Sequence, residues 1–220
     1  MKRKLAVVLL ICISCHMGWA AQDFVWKSGQ NMKVVCDTTE APVVKVALDL
    51  LKRDCRAVLS GNISRSENTG NIYVGTWGES SVLQALAETR QLDVAQLNEH
   101  KEAFLLNVLP DGRLIVAGSD KRGTAYGVLE LSRMMGVSPW EWWADAIPEK
   151  KEELRLPAGF RKLDYPQVAY RGIFINDEDW GLTPWSWKHY EPSERKGQIG
   201  PKTHARIFEL LLRLRANTFW

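Results

Sequence analysis

Cysteine is scarce in this chain, and metal-ligand spacing is missing from most of it. Of 220 residues only Cys12, Cys15, Cys36 and Cys55 are cysteines, and beyond residue 20 there is no C-x-x-C or H-E-x-x-H arrangement. Two remaining thiols cannot build a disulfide framework; they form one bridge or stay as two buried free thiols. No charge of one sign dominates either. The chain has 29 Lys and Arg against 26 Asp and Glu, but Lys2, Arg3 and Lys4 account for the excess and no acid precedes Asp23. From residue 21 onward the balance is 26 against 26, which gives no support to a nucleic-acid or anionic-membrane partner. No apolar run is long enough to span a bilayer, and there is no repeat or low-complexity segment.

The N-terminus reads as an export leader over residues 1–20. Met1-Lys2-Arg3-Lys4 is a positive n-region, Leu5 to Ser14 an apolar h-region, and Gly18-Trp19-Ala20 places small residues at the −3 and −1 positions of a cleavage site. A lipoprotein signal using Cys15 is the weaker alternative, because Cys12 stands where a leucine is expected. The expected location is secreted or periplasmic.

Residues 22–165 are patterned as one α/β domain. Met32 to Cys36 is a β-branched run; Thr39 and Pro42 open a helical pattern through Val58 that Gly61-Asn62 stops. Asn71 to Trp77 is a second strand, and Ser80 or Ser81 caps a helix carrying Val82, Leu83, Leu86 and Ala87. Ala103 to Leu109 and Arg113 to Ala117 flank Pro110-Asp111-Gly112, a hairpin signal in which proline fixes φ and glycine supplies a positive φ. Gly118-x-x-x-x-Gly123 then enters a helix from Thr124 to Met135. It lacks the Lys-Ser/Thr of a phosphate loop, so it is a glycine-permitted turn. The order β-α-β-α-β-β-α fits a single compact domain.

From residue 166 the pattern changes. In Tyr170-Arg171-Gly172-Ile173-Phe174-Ile175-Asn176-Asp177-Glu178 an apolar run ends in three polar side chains, which reads as a buried parallel strand opening onto polar chemistry. At the C-terminal end of a barrel strand such residues face an active site. Asp177 and Glu178 are adjacent on the strand, so their side chains point to opposite faces. Arg171, at the other end, pairs with a carboxylate of a barrel core or holds the domain junction as a salt bridge. Six of the ten tryptophans fall between residues 140 and 187. Trp140, Trp142 and Trp143 lie in an ordered connector and read as packing, whereas Trp180, Trp185 and Trp187 follow the polar strand end and suit stacking on sugar rings. Ile207 to Arg215 reads as a helix with an apolar stripe of Ile207, Leu210, Leu211 and Leu214.

Four blocks in this order, Ala117 to Gly127, Gly136 to Asp145, Arg171 to Glu178 and Phe208 to Asn217, resemble glycoside hydrolase family 115, the xylan α-1,2-glucuronidases. The resemblance runs from about residue 30 to the end. It implies a β-hexosaminidase-like N-terminal α/β domain followed by a (β/α)8 barrel, of which residues 166–220 hold only the first βα unit. It also implies removal of glucuronic acid or its 4-O-methyl ether from xylan with inversion and without cofactor or metal, and it is compatible with a homodimer of the whole enzyme. A barrel of about 250 residues cannot be built from this segment, so the expectation is a truncated barrel, inactive alone, with the acid and base beyond Trp220. The stripe would then aggregate or borrow the first domain as its surface. Substrate contacts are expected from Asn176, Asp177, Glu178, Trp180 and Trp185. Two other classes remain: a noncatalytic carbohydrate-binding module or pseudo-enzyme, and a hexosaminidase-like glycosidase.

Overall fold

The computed structural model describes residues 20–89, 91–176, 178–192 and 197–220; the stretch expected to be an export leader, apart from Ala20, lies outside them. In chain order the elements are β1 (Phe24–Lys27), β2 (Asn31–Cys36), α1 (Pro42–Leu59), β3 (Asn62–Ser66), β4 (Ile72–Thr76), α2 (Ser81–Glu88), a short 3-10 turn (Ala95–Asn98), β5 (Phe104–Val108), β6 (Leu114–Gly118) and α3 (Lys121–Met134). There follow β7 (Glu153–Leu156), β8 (Arg161–Asp164), β9 (Gly172–Ile173), α4 (Leu182–Trp185), a π turn (Ser186–Tyr190), α5 (Pro201–Arg213) and β10 (Thr218–Phe219).

A six-stranded mixed sheet in the order β3-β2-β4-β6-β5-β8 is the centre of the molecule. The first four strands are parallel, and β5 runs antiparallel to both β6 and β8. Side chains alternate across it, as the two-residue strand period requires. Val34, Val74, Val116 and Leu106 belong to a core shared with α1 and α3, while Val35, Tyr73, Ile115 and Leu105 belong to one shared with α2 and Leu97. With a helical layer on each face, the central strands β4 and β6 are mostly apolar and buried at every residue.

The elements expected from the sequence form close to their expected bounds. Pro42 stands in the first turn of α1, whose buried face is Val44, Ala47, Leu51, Cys55 and Val58. Ser80 caps α2 by accepting the Leu83 N–H at 3.4 Å. Gly112, at φ +80°, closes the β5–β6 hairpin. The Gly118–Gly123 turn is a helix start: Asp120 Oδ1 accepts from the N–H groups of Arg122 and Gly123 at 3.0 and 2.9 Å. A Cβ on Gly123 would lie 2.1 Å from the Ala103 carbonyl oxygen, so close backbone approach accounts for the glycine. Cys36 and Cys55 are buried free thiols, each pushed up to about 11 by burial.

Four strands escape the sequence pattern. β1 and β7 make a separate antiparallel ribbon, β3 is the outer parallel strand and β8 the opposite edge. The stretch from residue 170 also differs from expectation. β9 is parallel to β10 with Gly172 opposite Thr218, but it is only two residues long and it is not buried, since Tyr170 and Phe174 are 82% and 63% exposed.

α5 begins six residues before its expected start, and it borrows the first unit as its surface. Ile207, Leu210 and Leu211 are buried there, whereas Leu214 is 42% exposed. Arg213 donates to both carboxylate oxygens of Asp54 on α1 at 2.8 and 3.0 Å, Arg53 pairs with Glu209, and the Tyr126 hydroxyl on α3 donates to the Ala216 carbonyl at 3.2 Å. Just beyond α5, Arg215 reaches Glu130 of α3 at 2.7 Å and Asp164 of β8 at 2.6 Å. Glu130 also accepts from Arg133 at 2.6 Å and Lys162 at 2.7 Å, so three cations meet on one buried carboxylate.

Burial alone would push the Glu130 carboxyl up, but Arg133, Lys162 and Arg215 hold it down at about 2. A folded value below the unfolded one adds stability that is fully present above the unfolded value of 4.5 and is lost as pH falls toward 2. The shift corresponds to roughly 3 kcal/mol at neutral pH. Urea unfolding of Glu130→Gln should therefore give a lower midpoint than the parent at pH 7, with the gap narrowing as the pH is taken from about 4.5 toward 2. A gap that stays constant would contradict this account.

Candidate functional site

The βα unit formed by β9, α5 and β10 has its strand C-terminal ends at Ile173 and Phe219. The pair is continued by the Ile175 N–H, which donates to the Trp220 carbonyl at 2.8 Å, and by a T-shaped contact between the Phe174 and Trp220 rings. Gly172 is imposed by the pairing: a Cβ there would sit 1.9 Å from the Thr218 carbonyl oxygen. The chain then leaves the strand into Asn176 and Glu178, both exposed, while Asp177 lies outside the described residues.

Glu178 accepts a hydrogen bond from the indole N–H of Trp180, whose side chain is 72% exposed. An amide, a carboxylate and a largely free indole face thus stand close in sequence past the end of one strand. These groups can accept and donate to hydroxyls and offer an apolar plate. Inverting glycosidases need two carboxyl groups about 6.5–9.5 Å apart; the described part of this strand end carries Glu178 and Asp179, on consecutive exposed residues.

Trp185 is placed differently. Its ring stacks on Tyr190 at 5.0 Å and meets Trp142 and Trp143 at 6.0 and 6.3 Å. The Arg206 guanidinium lies over Trp142 at 4.9 Å, and the Trp143 indole N–H donates to the Arg206 carbonyl at 3.2 Å. The connector tryptophans and the loop tryptophan therefore form one cluster against α5. Beside it runs a groove of about 760 Å³ lined by Glu141, Trp142, Trp143, Asp145, Ile147, Gly181, Leu182 and Trp185.

Glu191 was not singled out by the sequence. Its carboxylate is buried at the start of α5, accepting from the Lys202 N–H at 2.9 Å, the Thr203 N–H at 2.7 Å and the Thr203 hydroxyl at 2.6 Å. Burial opposes the charge, but these donors at a helix N-terminus keep its carboxyl below the usual range. The available signal was an acid some ten residues before a Gly-Pro helix start, which no capping motif covers because the acid is outside the first turn. His189 is exposed, and His204 Nδ1 lies 2.9 Å from the Gly200 carbonyl oxygen.

Arg171 serves the junction. It pairs with Glu102 of the first unit, its Nε donates to the Arg215 carbonyl at 2.8 Å, and its Nη1 donates to the Val168 carbonyl at 2.6 Å. Glu102 also accepts from Arg122 at 3.1 Å and from the Asn217 amide at 3.1 Å. Burial would raise the Glu102 carboxyl, and these partners outweigh it so that it stays low.

With this geometry in hand, the chain can be set against known proteins. The model of Glycosyl hydrolase family 115 matches residues 163–220. The solved structure of BtGH115A, described as a novel family 115 4-O-methyl-alpha-glucuronidase with specificity for decorated arabinogalactans, is 60% identical with a TM-score of 0.84. The match covers 90% of this chain and 25% of that one. The chain is family 115 sequence. It spans a quarter of the length of that glucuronidase, and the match takes in both the first unit and the β9–α5–β10 segment. Two more distant structures share the fold alone. A family 138 enzyme targeting pectin rhamnogalacturonan II is 14% identical, with a TM-score of 0.52 over 86% of this chain and 23% of its own. The protein CpGH84D is 15% identical, with a TM-score of 0.51 over 90% of this chain and 35% of its own. No curated protein matches. Among the described residues no three His, Cys, Asp or Glu side chains are grouped to hold a metal ion, and no helix is long and apolar enough to cross a membrane.

Removing Arg171 strips Glu102 of one of three partners while it remains largely buried. Arg171→Met should lower stability by about 2–3 kcal/mol, less than the loss for a fully buried pair because Arg122 and Asn217 remain. In a double-mutant cycle with Glu102→Gln, the second change should cost much less than it does alone. Additive losses in urea unfolding would show that the two side chains do not act together.

Proposed function

We propose that these residues are the N-terminal portion of an exported glycoside hydrolase that removes glucuronic acid, or its 4-O-methyl ether, from the side chains of a plant polysaccharide with inversion. The observation that carries this reading is the 60% identity over nine-tenths of the chain to a 4-O-methyl-alpha-glucuronidase. In this reading the mixed-sheet unit of residues 22–165 is the hexosaminidase-like domain that precedes a (β/α)8 barrel, and residues 166–220 begin the barrel. The leader directs the enzyme to the periplasm or the exterior, where such polysaccharides are met.

Asn176, Asp177 and Glu178 bind sugar hydroxyls at the end of the first barrel strand, and Trp180 offers a ring face beside them. Trp185 contributes through the aromatic cluster, as part of a groove wall. Acid and base are carboxylates of other strands, because inversion needs two separated groups and one strand end cannot provide both. The substrate class is read from kinship: the neighbour has specificity for decorated arabinogalactans, and a glucuronate linked to galactan or to xylan presents the same glycosyl group to the pocket, with a backbone hydroxyl as the leaving group in either case.

The enzyme containing this sequence should release uronic acid from glucuronoxylan or from glucuronate-decorated arabinogalactan, with the β anomer appearing first in a proton NMR time course. Glu178→Gln should lower kcat/KM by about tenfold or more through weaker binding of the reacting sugar. The 220 residues by themselves should release none. Retention of configuration, or release by these residues alone that Asp177→Ala abolishes, would overturn the mechanism or the placing of the carboxylates respectively.

A further inference from the structure

The groove beside the tryptophan cluster has features that packing alone does not call for. Its volume of about 760 Å³ falls in the range of ligand clefts, roughly 300–1,000 Å³. One wall is Trp142, Trp143 and Trp185, all only partly buried, and the rim holds Ile147, which is 83% exposed. The polar groups of the lining are two carboxylates, Glu141 and Asp145. Asp145 is exposed and adopts a left-handed backbone at φ +49°, a conformation that costs a non-glycine residue free energy and that tends to collect at ligand-binding positions. Glu141 uses one oxygen for Arg53, at 3.5 Å.

Indole faces stack on the C–H faces of pyranose rings, and carboxylates accept from sugar hydroxyls. The same carboxylates repel a uronate, whose own charge would have to approach two like charges in a partly enclosed groove. Two arginines stand beside the lining and both are engaged: Arg53 pairs with Glu209 and Asp54 as well as with Glu141, and Arg206 lies over Trp142 and pairs with Glu209. Gly181 and Leu182, which complete the lining, follow directly on the loop that carries Asn176 and Trp180. We propose that this groove, formed by Trp142, Trp143, Trp185, Glu141 and Asp145, binds the neutral sugar backbone of the polysaccharide, and that its two carboxylates exclude uronic-acid units from it. The inference rests on the polysaccharide-hydrolase reading for its ligand class, and it gives the connector tryptophans a role beyond packing.

The test is a titration of the 220-residue chain, followed by tryptophan fluorescence, with xylotetraose and galactotetraose as neutral probes and tetragalacturonate as the acidic one. The neutral probes should change the emission and bind at least about tenfold more tightly than the acidic probe. In the double variant Glu141→Gln, Asp145→Asn, which keeps the size of both side chains and a residue tolerant of positive φ at 145, that preference should shrink to about twofold or less. Trp142→Ala should abolish binding, with cooperative urea unfolding used to confirm that it folds. Absence of binding by the neutral tetraoses, equal affinity for the acidic one, or a preference unchanged in the double variant would each overturn the proposal. Release of uronic acid by the enzyme without neutral-probe binding would sink the groove and spare the hydrolase reading; binding without release would do the reverse.

Discussion

Glu102 holds Arg122, Arg171 and Asn217 at once, and the position of β9 and β10 depends on it. The residue is 8% exposed and sits at φ +55°, a conformation that a glycine would adopt at no cost. Glycine would take away the carboxylate that Arg171 and Asn217 share, leaving them only backbone carbonyls as acceptors. Arg215 repeats the situation just after α5, at φ +57°, with its guanidinium on Glu130 and Asp164 and over the Phe104 ring at 4.8 Å. Each left-handed residue costs on the order of 1 kcal/mol, and each persists because its side chain completes an ion pair between the mixed-sheet unit and the strands beyond it. The junction thus combines the apolar contact of α5 with charge pairing across it, and the pairing makes its geometry directional.

That origin explains how much could be read from the sequence. The hairpin at Pro110-Asp111-Gly112 and the caps at Ser80 and Asp120 are local: the residues that specify them lie within four positions of the groups they satisfy. The elements that were missed are specified from far away. β3 offers one buried apolar residue, Ile63, and becomes a strand by pairing with β2. β8 reads as Arg-Lys-Leu-Asp and is held by the edge of β5. Neither has an alternating apolar pattern for a period-two search to find. The same holds for the polar strand end. The proposal for Asn176, Asp177 and Glu178 came from local sequence, polarity following an apolar run, whereas the partner of Arg171 lies 69 residues away and left no local mark.

The tryptophans show where residue type misleads. Position in the chain separated Trp142 and Trp143 from Trp185, yet the rings share one cluster, because α5 and the loop before it fold back over the connector. Glu191 steadies that arrangement from below by filling the start of α5, close to the hydroxyls of Ser186 and Thr203, which are 2.7 Å apart. A groove walled by residues from two distant segments, with one segment pinned by a buried cap, is better preorganised for a ligand than a free loop would be.

Open α/β sheets bind ligands beyond the C-terminal strand ends where neighbouring connections diverge. Here that point lies between β2 and β4, whose following helices, α1 and α2, pack on opposite faces. It is filled by the protein. Buried Glu40 accepts from the Thr76 N–H at 2.5 Å and the Thr76 hydroxyl at 3.0 Å, and that hydroxyl lies 2.8 Å from the hydroxyl of Thr124. Asp37 beside it accepts from the Ser81 N–H at 3.1 Å. An anionic sugar arriving there would meet a carboxylate already using the local donors, and displacing it would leave that charge buried and unpaired. The crevice between β2 and β4 is thus filled by Glu40 and its donors, whereas the polar side chains of Asn176 and Glu178 past β9 are exposed.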